Sequence, residues 1–273
     1  MTWIEEIQQY CEFYNIPLEY LVNTLYEPKV IPMIRGKAFE FSALLMLQSV
    51  LPSDEFEVSK QSMNAQIDSH DIDVSVTHKA SGITVNVECK LAGKGRFRYL
   101  KQDQLYKFNV KCMRSRTLGI EMVSQQASKL NIDRKQLQVH NDSYIPSDFD
   151  VVLTSIANAF YITRDDGIFD WQPTQTAINF LRNLPGGKQA PNLKNFAFNS
   201  VYLAHSYDLA PLPDNEVVCT RRNCTTTNNC GFIPNYPDLI FEEYSPIPNH
   251  PWYSISHAVD FFKRIIKHKI NAQ

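Results

Sequence analysis

Glu88 and Lys90 stand two residues apart in an alternating run, Ile83-Thr84-Val85-Asn86-Val87-Glu88-Cys89-Lys90. In a strand, residues two apart share a face, so the carboxylate and the ammonium point the same way. Val87, Cys89 and Leu91 then point into a core on the other side. Upstream, Ile72-Asp73-Val74-Ser75-Val76 alternates in the same manner, and Ala80-Ser81-Gly82 between the two runs reads as a turn. An antiparallel hairpin would bring Asp73 alongside Glu88. Two facing carboxylates repel unless a cation sits between them. Mg²⁺ suits them, because it takes oxygen ligands and keeps waters for contact with a phosphate. Such an ion lowers the pKa of a bound water and stabilises charge in an in-line displacement at phosphorus. Lys90 would orient or activate the water, or neutralise developing charge, and the two acids favour its charged form. The plain alternative is a solvated strand face, where Glu and Lys often alternate, with Asp-x-Asp as a cap or turn.

Helical spacing precedes these strands. It predicts a helix over 3–14, a second short one after Pro17 through Leu21, Leu25 and Tyr26, and a third from Gly36 to Val50. Pro28 and Pro32 are read as breaks between them. Phe56-Glu57-Val58, Val151-Val152-Leu153 and Phe160-Tyr161-Ile162 are further strand candidates. Residues 91–95 are read as a Gly-containing loop and 99–130 as helical. From 171 to 250 Pro, Asn and aromatics abound without clean periods, which suggests irregular recognition loops. An amphipathic helix over 254–268 closes the chain.

Glu40 on the third helix, Asp73, and Glu88-Cys89-Lys90 together resemble the catalytic core of the PD-(D/E)XK nuclease superfamily, and type II restriction endonucleases within it. The resemblance spans about residues 35–130. It implies a restriction-endonuclease-like α/β fold, a mixed β-sheet flanked by helices, here with a loop-rich C-terminal portion. It also implies Mg²⁺-dependent hydrolysis of DNA phosphodiesters to 5′-phosphate and 3′-hydroxyl ends. Asp73 and Glu88 would bind the metal, Lys90 would assist the water, and Glu40 would be an additional carboxylate. Ile72 stands where the family's Pro precedes the Asp, which leaves Asp71 as a rival ligand. Asp73 is preferred because Ile72 and Val74 flank it as buried strand neighbours would. A homodimer cutting both strands of a palindrome follows from the family, not from the residues.

Lys94, Arg96, Arg98, Lys101, Arg114 and Arg116 follow the active strand, with Phe97, Tyr99, Tyr106 and Phe108 interleaved. Beside a metal site such a run suits the phosphate backbone of double-stranded DNA; elsewhere it would be a solvated helical face. Arg221, Arg222 and Asn223 carry the groups that read base edges. They lie among Cys219, Cys224 and Cys230, separated by four and five residues. Three ordinary thiols are the simpler reading. The alternative is a structural Zn²⁺ with His205 or another Cys as fourth ligand. His140 and His250 are read as structural or DNA-contacting.

Net charge of −2 and a pI near 6.4 lack the global signature of a nucleic-acid binder, so DNA contact must rest on local basic clusters. No P-loop, G-x-S-x-G elbow, H-E-x-x-H helix or dinucleotide fingerprint occurs, which disfavours those enzyme classes. No run of apolar residues suits a membrane span, and a soluble cytoplasmic protein with reduced thiols is expected. The expected organisation is a helical portion at 1–34, a catalytic core at 35–170 and a DNA-recognition portion at 171–273, within one compact domain. The function expected is a site-specific restriction endonuclease. Two alternatives stand beside it: a repair, resolvase or transposon nuclease of the same superfamily, and a non-catalytic DNA-binding module.

Overall fold

The computed structural model describes residues 2–60, 72–114 and 117–271. Three helices open the chain: α1 (Trp3–Phe13), α2 (Leu21–Tyr26) and α3 (Ile31–Val50). Thr2 and Glu5 form a capping box that starts α1. Pro32 does not break the chain before α3 but lies in its first turn. A proline costs little there, because its missing N–H would find no partner within the helix. Phe39, Ala43 and Leu47 form the buried stripe of α3.

Four strands follow: β1 (Phe56–Ser59), β2 (Val74–His78), β3 (Thr84–Leu100) and β4 (Leu105–Val110). The expected loop at 91–95 and the expected helix from 99 are overturned, since β3 runs on and turns back as β4. Phe97 and Tyr99 face Phe108 and Tyr106 across this hairpin, and their period of two is that of a strand. The glycines mark a bulge, not a loop: the register shifts between Ala92 and Phe97, and Gly95 takes a φ of +66° there. Helix appears only later, as α4 (Ile120–Leu130) and α5 (Arg134–Val139).

The remaining elements are β5 (Val151–Ser155), β6 (Tyr161–Thr163), β7 (Phe169–Trp171), α6 (Gln175–Asn183), α7 (Leu193–Asn199), β8 (Val201–His205), β9 (Asp238–Glu242), β10 (Tyr253–Ser254) and α8 (Ala258–Asn271). The stretch expected to be irregular thus supplies two helices, α6 and α7, and two strands, β8 and β9. Its strands are short and buried on both faces at β8, so they show no alternation.

The central sheet runs β1-β2-β3-β5-β8-β10, with β4 on the second half of β3 and β9 on β4. β3 and β5 are parallel and the other pairs antiparallel, so this is a mixed α/β sheet that curls where β3 bends. One face packs Val74, Val76, Val85, Val87 and Cys89 under Phe39 of α3 and Phe262 of α8. The opposite face carries an aromatic core in which Phe108, Phe180 and Phe241 meet edge to face or tilted. A smaller cluster joins α4 and α5 to the segment around Cys219, Cys230 and Phe232.

Candidate active site

Strand register assembles the site. Val74 pairs with Val87, so one step further along the antiparallel ladder Asp73 lies opposite Glu88. Val87 and Cys89 belong to the core under α3, which turns Glu88 and Lys90 to the other face. The amide of Cys89 donates to Asp73 Oδ2 at 2.8 Å and pins this carboxylate to the strand. Asp73, Glu88 and Glu40 are all buried.

Lys90 Nζ lies 2.5 Å from Glu88 Oε1. The same oxygen accepts the Tyr144 hydroxyl at 2.9 Å, and Lys90 Nζ lies 3.4 Å from that hydroxyl. Burial acts to lower the Lys90 ammonium, but the Glu88 carboxylate, with Tyr144, outweighs it and the net shift is upward. Lys90 therefore stays charged and faces its neighbours as a hydrogen-bond donor. Tyr144 is also raised, by burial and then by Glu88, and remains a neutral hydroxyl. Asp73 is pushed up to about 8, first by burial and then by the Glu88 and Glu40 carboxylates.

Glu40 reaches the edge of this group held by Lys37 at 2.9 Å and by Lys60. Lys60 also donates to the Asp73 carbonyl at 3.3 Å. Neither Tyr144 nor Lys60 was expected at the site. Tyr144 reaches it from 56 residues beyond Glu88 and Lys60 from just after β1, 13 residues before Asp73, and no local spacing marks either. Thr154, in register beside Lys90 on β5, has a buried hydroxyl with no hydrogen-bond partner among the described residues. Asp71 lies outside the described residues.

The basic residues divide. Arg96, Arg98 and Lys101 are exposed along the outer half of β3 and its turn. Lys94 stacks over Phe169 at 3.8 Å, and Arg35 over Tyr161 at 4.1 Å. The Lys94 pKa is lowered, first by burial and then by repulsion from Arg35. Arg114 turns inward instead, to Asp148 at 2.5 Å and the Ser143 carbonyl at 3.0 Å. Its guanidinium packs over Tyr144 at 5.1 Å, so it supports the site wall and does not present itself as a phosphate contact. Arg116 lies outside the described residues. Arg221 pairs with Asp142, whereas Arg222 and Asn223 are exposed.

Cys219, Cys224 and Cys230 converge, as the metal alternative required, but the fourth ligand is corrected. His140 at the end of α5 joins them, with the ligand atoms within 4.8 Å of one another. His205 is on β8, stacked on Tyr207 and close to Asp150 and Asp208. It cannot reach the cysteines from there, because β8 holds it in the central sheet. Among the described residues this is the one cluster with three or more such atoms so close. The carboxylates of the candidate active site are therefore more widely spread. Comparison with family models, curated proteins and solved structures finds no match for this chain.

Proposed function

We propose that the chain is a Mg²⁺-dependent, site-specific endonuclease acting on double-stranded DNA, with a restriction-endonuclease-like core. The observation that carries this reading is the pairing of Asp73 with Glu88 across adjacent strands, with Lys90 on the same face. A carboxylate driven up to about 8 by burial and by its acidic neighbours is one that a cation would relieve. The donor set fits Mg²⁺, since the groups that would hold it are carboxylates, whereas the nearby thiols Cys89 and Cys112 are buried and pushed up by that burial, so they stay protonated.

Asp73 and Glu88 would hold the ion, and Glu40 adds negative charge from the edge. When bound, Mg²⁺ lowers the pKa of a coordinated water and offsets charge on the scissile phosphate. Glu88 must exchange part of its ion pair for this role, which leaves the Lys90 ammonium to donate to the water or to a phosphate oxygen. Tyr144 holds Glu88 and Lys90 in register. Lys94 with Arg35, Arg96 within the bulge and Arg98 beyond it offer positive charge to the backbone on the same strand. Arg222 and Asn223 are the exposed candidates for base reading. A homodimer, which would place two such sites on the two DNA strands, belongs to the same proposal.

The test is incubation of purified protein with unmethylated phage DNA and Mg²⁺, beside Asp73→Asn and Lys90→Ala. Discrete fragments from the unaltered protein alone support the proposal. A smear keeps a nuclease but removes site specificity, as expected for the repair or transposon class. DNA bound but intact with Mg²⁺ and with Mn²⁺ would make the chain a non-catalytic DNA-binding module.

A further inference from the structure

We propose that His140, Cys219, Cys224 and Cys230 form a structural Zn²⁺ site that clamps the segment 217–236 onto α5. This inference stands apart from the nuclease reading and needs no part of it.

The donor set is three sulfurs and one imidazole, a combination that zinc takes in closed tetrahedral sites. Zn–S near 2.3 Å and Zn–N near 2.0 Å would space tetrahedral ligand atoms roughly 3.5–3.8 Å apart. The side chains here already lie within 4.8 Å of one another, so the ion requires only a small inward closure. Cys224 is half-buried and the other three ligands are buried. Among three thiols at one point, one disulfide would always leave a thiol over.

The histidine is oriented as a ligand. Its Nδ1 lies 2.9 Å from the carbonyl oxygen of Gln136. A carbonyl only accepts, so Nδ1 carries the proton and Nε2 offers its lone pair. Nε2 points at Cys219 Sγ, 3.3 Å away. Metal-bound histidines commonly donate their other ring nitrogen in this way. The ring is also stacked flat on Phe232, at 4.4 Å and 9°.

The backbone is shaped around the thiols as well. The Arg221 amide lies 3.5 Å from Cys219 Sγ and can donate to a thiolate there. Cys219 N donates to Thr227 O at 2.8 Å, and Cys224 N to Arg221 O at 3.1 Å. Gln136 fastens Cys230 through its carbonyl at 2.8 Å. Binding would release the three thiol protons and join residues far apart in the sequence, so the ion contributes directly to folding. The clamped segment reaches the wall beside Lys90: Ile233 N donates to the Tyr144 carbonyl at 2.8 Å, and Asn235 holds Asp142 at 2.9 Å.

The full chain, produced in zinc-supplemented medium and purified without chelator, should contain zinc at one ion per chain by plasma mass spectrometry. Cys224→Ser and His140→Ala should each lose most of it, His140→Cys should retain it as a four-cysteine site, and His205→Ala should keep it all. Should the substituted chains fail to fold, the unaltered protein still decides the matter. After chelation its melting temperature should fall, and added Co²⁺ should produce the strong visible absorption of a tetrahedral thiolate site. Folded protein without zinc and without that absorption overturns the proposal. So does zinc lost from His205→Ala but kept by His140→Ala, or iron in its place.

Discussion

Asp73 is the residue at which the fold and the proposed chemistry oppose one another. Its carboxyl goes from an ordinary value of 3.8 when unfolded to about 8 when folded. A group raised on folding contributes stability that is complete below the unfolded value and is lost as pH rises through the folded one. Without a cation, the protein should therefore lose stability across the interval from about pH 4 to about pH 8. A cation that replaces the proton reverses the loss. The thermal shift produced by Mg²⁺ should accordingly grow from about pH 6 to about pH 8.5, and Asp73→Asn should flatten that trend. A Mg²⁺ shift that is equal at both pH values, or absent, would remove Asp73 as a ligand. Tyr144 is tested differently. Tyr144→Phe deletes a hydrogen bond to a charged acceptor, worth about 1.5–3 kcal/mol. If that bond matters mainly in the reaction, cleavage should slow by roughly tenfold to a hundredfold, with DNA affinity unchanged. An unaltered rate would leave Tyr144 as packing alone.

At the scale of elements, α3 and β3 carry most of the site. α3 buries Phe39 fully against the strands that present Asp73 and Glu88. Phe39→Ala should cost about 3–5 kcal/mol in denaturant unfolding, and cleavage should fall with the folded fraction. A loss well under about 1 kcal/mol would mean that α3 is not packed as described. β3 serves both ends of the proposal, since its first half holds Glu88 and Lys90 and its second half carries Arg96 in the bulge and Arg98 past it. Lys94→Ala and Arg96→Ala should each weaken binding to all DNA sequences alike. Each should also reduce the slope of log affinity against log salt by about 1. Arg114→Ala should instead lower stability, because its guanidinium is engaged with Asp148 and Ser143. A change in salt slope for Arg114→Ala equal to that for Lys94→Ala would contradict the inward assignment.

For the whole molecule, the conspicuous surface is the N-terminal one. Trp3 is 70% exposed, Phe13 77% and Met33 72%, and Phe41 and Leu45 are also open. No helix among the described residues is long and apolar enough to cross a membrane, so these side chains belong to no spanning helix there. Exposed apolar groups on this scale accompany interaction surfaces. If the proposed dimer uses them, light scattering should report twice the chain mass, and Trp3→Glu with Phe13→Glu should return it to a monomer. A dimer unaffected by both substitutions would place the interface elsewhere. The C-terminal helix acts on the interior instead. Its Lys269 bonds the Thr84 carbonyl at 2.9 Å and Asp150 at 2.7 Å, which ties the end of the chain to the start of β3.

What could be read from the sequence was what local periodicity records. The α1 and α3 stripes, the hairpin of β2 and β3, and the shared face of Glu88 and Lys90 follow from spacings of 3.6 and 2. The basic stretch after Lys90 was legible as a run of charges, but its conformation was not. Aromatic alternation at Phe97, Tyr99, Tyr106 and Phe108 competed with a composition that suits helices, and cross-strand packing decided for the hairpin. Short buried strands such as β8 left no period at all, since both faces are covered. The tertiary structure alone decided which distant groups meet: Tyr144 against Glu88, Lys60 against Glu40, and His140, not His205, among the three cysteines. Those contacts depend on how the folded chain brings separate elements together, and no local spacing encodes where that places a side chain.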